Sequence, residues 1–304
     1  MAPRIQAGAF SGHETFPLRF TWLPKAIREV ETDPQAFSDP DQAMVRLGVG
    51  KNMVKSMRHW ALATEVLEEE GDRGQRSLRP SVLGQRILGA EGLDPYLEQP
   101  ATLWFLHWRV AGRPDRTTTW YWAFNHAPQP DFTKDDLTAW LLGLIEERGW
   151  RATAASLKRD IDVFIRSYVP SLGTKKAAVE DVLDCPLVEL DLIHAHEERG
   201  RFIIDRHPRP TLPDALFAFA LVEYLGRTER TAMSVPLDEI ALAAGSPGRT
   251  FALSERDLLG RLERLSEITE SGLVYDETAG LRQVHIHRMP EALPLLERCY
   301  SEPS

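Results

Sequence analysis

Apolar residues recur every three or four positions over most of the chain, a periodicity that predicts helices with one buried face. The pattern is clearest over Lys51–Thr64. Its apolar stripe comprises Met53, Val54, Met57, Trp60, Ala61 and Thr64. A shorter helix over Gln42–Leu47, with Asp39 or Asp41 as its N-cap, precedes this segment across the break Gly48-Val49-Gly50.

Short strand-like segments follow the Lys51–Thr64 helix. Val66–Glu68 and Ser77–Arg79 flank the polar loop Glu70–Arg76, which predicts a β-hairpin. Helices are predicted on either side of this unit, over Leu23–Val30 and Leu83–Leu88. A helix, a tight glycine turn, a basic helix and a hairpin, in that order, are typical of a winged helix-turn-helix.

Helices also predominate in the rest of the chain. The predicted helices are Leu97–Val110 and Lys134–Arg148, both amphipathic, then Ala152–Tyr168, Leu212–Leu225, Asp238–Ala244 and Glu255–Glu267. Leu212–Leu225 is so apolar that we expect it to be buried. Two further hairpins are predicted, Leu190–Asp205 turning at Glu197–Gly200 and Leu273–His287 turning at Glu277–Gly280.

These elements predict an α+β fold that is predominantly helical, built from winged helix-turn-helix-like modules with short β-hairpins. Three modules are expected. Residues 1–95 combine an N-terminal loop with a winged-helix-like DNA-binding module, residues 96–210 form a helical middle module with a hairpin, and residues 211–304 form a C-terminal helical or winged-helix-like module.

Charge and composition narrow the class of protein. The 304 residues include 36 Lys and Arg against 45 Asp and Glu, a formal net charge of −9, so bulk adhesion to nucleic acid is not expected. No apolar run approaches the ~20 residues of a membrane span, and the first ten residues lack the apolar core of a signal peptide. Two distant cysteines, Cys185 and Cys299, exclude a disulfide framework. These features predict a cytoplasmic protein without a membrane partner.

Local charge favours a DNA contact in spite of the acidic total. Arg46–Trp60 contains four basic residues and no acidic one. The candidate DNA-binding residues of this segment are Lys51, Asn52, Lys55 and Arg58, since a helix N-terminus with exposed cations suits phosphates and Asn or Arg can read base edges. A solvated amphipathic helix of a protein-binding module explains the same pattern equally well.

A second candidate is the loop segment HETF, residues 13–16. The imidazole of His13 and the carboxylate of Glu14 suit proton transfer or metal binding, and Arg19 suits a phosphate. Adjacent loop residues specify no geometry, however, so hydrogen bonds that tie the loop to the body are the simpler interpretation.

The acid and base run Lys158-Arg159-Asp160-Ile161-Asp162 lies on a predicted helix. Residues two apart do not share a helix face, so Asp160 and Asp162 are poor joint metal ligands, whereas Lys158 and Asp162 can form a surface ion pair. A metal site here needs a third group from elsewhere, such as His13 or Glu14.

Two further motifs stay open. In TTTWYWAFNH, residues 117–126, Asn125 and His126 lie beside aromatic residues that can stack on a nucleic-acid base. Upstream of this motif, Trp104 and Trp108 share a helix face and are expected in the core. The glycine turn GSPGR, residues 245–249, can approach a phosphate backbone, although ordinary turn chemistry explains it.

Several ordered motifs together carry a family resemblance. They are FSGHETFPLR, WLPKA, LGVGKNMVKSMRHW, DPYLEQPATLWFLHW, TTTWYWAFNH, SLKRDIDVFIRSYVP, GSPGR and YDETAGLRQ, spread from about Phe10 to about Tyr300. They resemble a bacterial family long described as a domain of unknown function, which includes the SspB-like DNA nickases of single-strand phosphorothioation (Ssp) defence systems.

This resemblance implies DNA modification and anti-phage defence, with an endonuclease that cuts one strand of double-stranded DNA to assist sulfur incorporation. It implies Mg²⁺ as the cofactor. The implied partner proteins are a cysteine desulfurase, an ATPase and an ATP-pyrophosphatase-type enzyme.

The chemistry of phosphodiester hydrolysis then assigns roles onto the matched motifs. We predict Glu14 and Asp160 as metal ligands, His13 as the base, and Arg19 and Lys158 as charge stabilisers. A non-catalytic DNA-binding adaptor and a winged-helix transcription regulator remain alternatives, because no established nuclease signature is present. The oligomeric state and the DNA target are open.

Overall fold

A computed structural model describes residues 7–71, 76–170, 185–196, 200–227, 232–278 and 280–301. Within these ranges the protein is a helix-dominated α+β fold with small antiparallel sheets, which confirms the predicted fold class. None of the described helices is long and apolar enough to cross a membrane.

The N-terminal elements follow the predicted order. They are α1 (Trp22–Thr32), α2 (Pro40–Leu47), α3 (Lys51–Ala63), β1 (Leu67–Glu70), β2 (Ser77–Pro80) and α4 (Val82–Leu88). Of the two predicted N-caps of α2, Asp39 is the one used, because its side chain accepts from the backbone N–H groups of Asp41 and Gln42. The helix ends at Gly48, whose φ of 67° is readily adopted by glycine. The predicted loop Glu70–Arg76 includes residues 72–75, which lie outside the described ranges.

The middle of the chain supplies α5 (Pro100–Ala111), α6 (Thr118–Asn125), α7 (Lys134–Arg148), α8 (Ala154–Tyr168) and α9 (Asp214–Gly226), with a short 3₁₀ helix at Pro186–Leu190. The prediction that α5 is amphipathic is wrong, since every residue from Ala101 to Ala111 is buried. The predictions that Trp104 and Trp108 belong to the core and that α9 is buried are confirmed.

The C-terminal elements are α10 (Leu237–Leu242), α11 (Pro247–Thr250), α12 (Glu255–Ile268) and α13 (Ala292–Arg298). Helices α5, α11, α12 and α13 pack around α9, which explains why α9 is buried on all sides. One hydrophobic core cluster takes residues from all three predicted modules, and the division into modules stays a prediction.

Both later hairpins belong to three-stranded antiparallel sheets. Their strands are β3 (Asp131–Thr133), β4 (Ile193–Ala195) and β5 (Arg201–Ile204) in the order β3-β5-β4, and β6 (Ser234–Pro236), β7 (Leu273–Thr278) and β8 (Leu281–Ile286) in the order β6-β8-β7. The sequence does not predict β3 and β6, because each is short and pairs with a strand far away in the sequence, so no local hairpin pattern reveals it. Residues 197–199 and 279 of the two predicted turns lie outside the described ranges.

Candidate functional site

The HETF segment forms a turn with unusual backbone geometry. Gly12 has a φ of 112°, Glu14 of 46° and Thr15 of 70°. Two consecutive non-glycine residues in the left-handed region are uncommon, and Glu270 and Ser271 after α12 are another such pair in this protein. Such conformations persist only where the surroundings hold them. The turn therefore depends on what its side chains contact.

His13 holds the turn from inside. Only 4% of the residue is exposed, and its Nε2 lies 2.6 Å from Oδ1 of Asp160 on α8. The backbone N–H of Thr15 donates to Nδ1 of His13 over 3.3 Å. Since that N–H can only donate, Nδ1 is an acceptor and Nε2 is the donor toward Asp160. Both ring nitrogens of His13 are thus engaged within the protein.

Asp160 is a buried acceptor, with 1% of the residue exposed. Its second oxygen, Oδ2, accepts a hydrogen bond from the hydroxyl of Thr119 on α6. The predicted partners His13 and Asp160 are therefore brought together, but as a hydrogen-bonded pair beneath the surface. A metal ion shared by Asp160 and Glu14 would require these hydrogen bonds to open.

Aromatic rings enclose the His13 ring. The centroids of Trp60, Trp120 and His59 lie 6.3, 6.1 and 5.7 Å from its centroid. Burial, together with the nearby charges of Arg116 and Arg58, lowers the pKa of His59 to about 3. The backbone of Gly12 also packs closely against the ring of His59. A Cβ at this position would lie only 2.5 Å from Nδ1 of His59.

Glu14 faces the N-terminal helices. Its Oε1 lies 3.4 Å from Nζ of Lys55 on α3, and 35% of the Glu14 side chain is exposed. On α8, Arg166 donates from Nη2 to the carbonyl oxygen of Thr15 over 2.5 Å. The outer side of the turn therefore carries the carboxylate of Glu14 beside Lys55, while Arg166 holds the backbone of Thr15.

The other predicted residues of α3 also lie off its buried stripe. Lys51 pairs with Asp41 at 3.2 Å and Arg58 with Glu69 at 2.7 Å, while Asn52 is exposed. Most of the predicted stripe is buried, although Met53 is only half-buried.

Glu69 on β1 forms ion pairs with three arginines, namely Arg58, Arg76 and Arg116. Burial raises the pKa of Glu69, but the hydrogen bonds from Arg58 and Arg116 outweigh it, so that the pKa is lowered overall. Acidic and basic side chains are interleaved here, since Glu68 and Glu70 on the same strand pair with Arg79.

Comparison with known proteins assigns the family. A model of the family DUF4007, described as a protein of unknown function, matches residues 10–300. This chain belongs to the DUF4007 family.

Two solved structures are similar to this DUF4007 protein. An SspB crystal structure is 33% identical with a TM-score of 0.88, and the match covers 98% of this chain and 91% of that one. A magnesium ion-bound SspB crystal structure is 34% identical with a TM-score of 0.87, covering 96% and 88%. The family resemblance of the sequence motifs is thereby confirmed. A search of the curated proteins found no match.

In this DUF4007 protein the predicted charge stabilisers Lys158 and Arg19 lie on α8 and between the HETF turn and α1. Lys158 is exposed and lies 3.7 Å from Asp135, and Asp162 lies 2.5 Å from Lys134. The predicted ion pair between Lys158 and Asp162 is therefore wrong, because α7 packs beside α8 and supplies both partners. The guanidinium of Arg19 lies over the ring of Phe16, 5.8 Å from its centroid.

Sequence reasoning missed Thr119 and Arg166, both of which lie within motifs of the family resemblance. Only the packing of α6 and α8 against the loop reveals that they support the turn. It also missed Asp191, His194 and His207, the one group of three or more possible metal ligands among the described residues. Arg209 lies 2.7 Å from Nε2 of His207 and engages that nitrogen.

Proposed function

We propose that this protein is the strand-nicking component of an SspB-like DNA phosphorothioation system and acts on double-stranded DNA at the HETF turn. The observation that carries the proposal is the strained turn itself, which presents Glu14 beside Lys55 of the basic helix. Strained backbone held by a buried hydrogen-bond network is a recurrent feature of functional sites. The similarity to SspB over nearly the whole chain supports the same role.

The lysines of α3 can exchange their acidic partners for the phosphates of DNA. Lys51 and Lys55 each have one acidic partner at more than 3 Å, and all four side chains are at least one-third exposed. Exposed ion pairs of this kind contribute about 0–1 kcal/mol, so a phosphate can replace the carboxylate at little cost. In this proposal Lys51, Asn52, Lys55 and Arg58 hold the backbone of the duplex next to the turn.

The surface of the turn offers one carboxylate, that of Glu14, to a Mg²⁺ ion. This ion commonly binds through one or two carboxylates, several waters and a substrate phosphate, and Glu14 supplies one carboxylate. A bound Mg²⁺ supplies positive charge to the phosphate and activates water. His13 and Asp160 then act as positioning residues that hold the turn, while Arg19 and Lys158 remain proposed phosphate contacts.

Glu14→Gln is expected to reduce magnesium-dependent nicking at least a hundredfold while leaving the melting temperature within about 1 °C, because the change keeps the shape and removes one half-exposed charge. The assay follows conversion of supercoiled to open-circular plasmid with Mg²⁺ and with a chelator. Glu146→Gln, at an exposed position of α7, is the matched control and should nick at the wild-type rate.

Two results would contradict this assignment. Wild-type nicking by a stable Glu14→Gln variant would remove Glu14 from the site. Duplex binding by the wild-type protein without nicking would favour the non-catalytic adaptor instead, with cutting supplied by a partner protein.

Lys51→Ala combined with Lys55→Ala is expected to weaken duplex binding and to lower the slope of log K against log salt by about two, one for each phosphate that the lysines no longer neutralise. The measurement is fluorescence anisotropy of a labelled duplex over a series of salt concentrations. Lys25→Ala with Arg28→Ala removes two exposed charges from α1 and should leave the slope unchanged. Equal slopes in all three proteins would rule out α3 as the DNA contact.

A further inference from the structure

A second candidate site lies apart from the HETF turn. A cavity of about 290 Å³ opens where the end of α6, the residues after β5 and α11 meet. Its walls include the apolar side chains Phe124, Pro128, Pro130, Ile203 and Ala252. None of its lining residues belongs to the HETF turn or to α3.

Two half-buried arginines, Arg206 and Arg249, line this cavity together. Burial lowers the pKa of both guanidinium groups, and the charge of Arg249 lowers the pKa of Arg206 further. Within the described ranges neither arginine forms an ion pair with a carboxylate. The carboxylate of Asp205, which also lines the cavity, lies 3.7 Å from Nδ1 of His207.

The guanidinium groups of the fully buried arginines are paired or hydrogen-bonded inside the fold, and that of Arg209 donates to the backbone carbonyl oxygens of Asp191 and Asp205. Arg109 and Arg261 are both at least 95% buried, and each lies within 3 Å of a carboxylate oxygen. Cations withdrawn from water normally require such a partner. Arg206 and Arg249 are half-buried, their charges repel each other, and neither pairs with a carboxylate of the described residues, so an anion that enters the cavity would relieve this repulsion.

The sequence motifs TTTWYWAFNH and GSPGR meet at this point and fix the position of Arg249. The backbone N–H of Gly245 donates to Oδ1 of Asn125 over 2.8 Å, and Nε of Arg249 donates to the carbonyl oxygen of Asn125 over 3.2 Å. The remaining guanidinium N–H groups of Arg249 are available to a ligand. This preorganisation lowers the entropy cost of binding an anion.

We propose that this cavity binds a single nucleotide, with its phosphate on Arg206 and Arg249 and its base against the apolar wall that includes Phe124. Paired guanidinium groups suit the fork geometry of phosphate oxygens, and the apolar wall suits the face of a base. The volume is at the lower end of small-molecule sites and is too small for a duplex. The nucleotide is either free or the phosphorylated end of a DNA strand.

The test is isothermal titration calorimetry on the full chain at low salt. The probes are thymidine 5′-monophosphate, thymidine, inorganic phosphate, and a single-stranded oligonucleotide with and without a 5′-phosphate. We expect the monophosphate to bind more tightly than thymidine or phosphate alone, because only it engages both the arginines and the apolar wall. The 5′-phosphorylated strand binding more tightly than the free nucleotide would identify a strand end as the source.

Arg206→Gln should weaken monophosphate binding about tenfold or more, because it removes a charge-assisted hydrogen bond to the phosphate. The change breaks no ion pair among the described residues, so the fold should be kept, and a melting curve verifies this. Arg249→Gln should act in the same direction. Arg159→Gln, an exposed arginine on α8, is the matched control and should bind as the wild type does.

Three outcomes would overturn the proposal: no binding of any phosphate-bearing probe at millimolar concentration, equal affinity for phosphate and nucleotide, or equal weakening by Arg206→Gln and Arg159→Gln. The readout is binding of a small probe and does not involve nicking. Failure of this site is therefore distinguishable from failure of the proposed nicking function.

Discussion

Arg109→Leu is expected to lower the free energy of unfolding by about 3–5 kcal/mol, the range found when one partner of a buried ion pair is removed. The Arg109 side chain is 1% exposed and pairs with Glu223 at 2.9 Å and Glu65 at 3.0 Å. Burial raises the pKa of Glu223, and Arg109 is the first of the charges that outweigh it, so that the pKa is lowered overall. Without Arg109, a largely buried carboxylate loses its nearest cation.

Urea denaturation at neutral pH measures this loss, with Arg86→Leu as the control. Arg86 pairs with Glu297 at a position where both side chains are more than one-third exposed, so we expect a change below about 1 kcal/mol there. The double variant Arg109→Leu with Glu223→Leu should recover part of the stability, because no unpaired charge remains buried. Equal decreases in the free energy of unfolding for Arg109→Leu and Arg86→Leu would contradict the claim that burial of an ion pair determines the cost of breaking it.

Trp60→Ala should also destabilise the protein by about 3–5 kcal/mol, as expected when a buried aromatic side chain leaves a cavity. Trp60 is fully buried, and its ring lies beside those of His13 and Trp120. Its Nε1 donates to the carbonyl oxygen of Phe16 over 3.0 Å, which ties α3 to the end of the HETF turn. The variant is therefore expected to disorder the turn as well as the core.

Trp60→Phe separates the two effects. It keeps most of the ring and removes the N–H donor, and Ser56 still lies 3.4 Å from the same carbonyl oxygen. We expect a loss near ~1 kcal/mol for this variant. Denaturant midpoints of the three proteins provide the comparison, and a Trp60→Ala midpoint close to that of the wild type would show that the cavity collapses without cost.

Hydrophobic periodicity, together with the glycine breaks, is sufficient to predict the individual helices and hairpins. The stripe of α3, the glycine break before it and the hairpin after it are short-range features, because a helix or a tight turn is set by residues within a few positions of each other. The same pattern fails on α5. Its polar residues His107 and Arg109 suggest an exposed face, yet α9 and the 3₁₀ helix pack against α5 and both residues are buried.

The candidate sites depend on contacts between residues that are far apart in the sequence, and the spacing of residues along the chain does not predict such contacts. His13 and Asp160 are 147 positions apart, and only the packing of α8 against the N-terminal loop brings them to 2.6 Å. The cavity between Arg206 and Arg249 depends in the same way on α11 packing against α6.

The sequence by itself determined the helical α+β class, the order of the N-terminal elements and the family resemblance, because each rests on local patterns or ordered motifs. Tertiary structure alone decided which polar residues are buried. As a result, Glu14 lies beside Lys55 and is partly exposed to solvent. Asp160, in contrast, is buried in the core, where both of its carboxylate oxygens form hydrogen bonds. The physical reason is that a buried carboxylate must have its hydrogen bonds satisfied within the protein, and the partners come from distant segments that only the folded chain brings together.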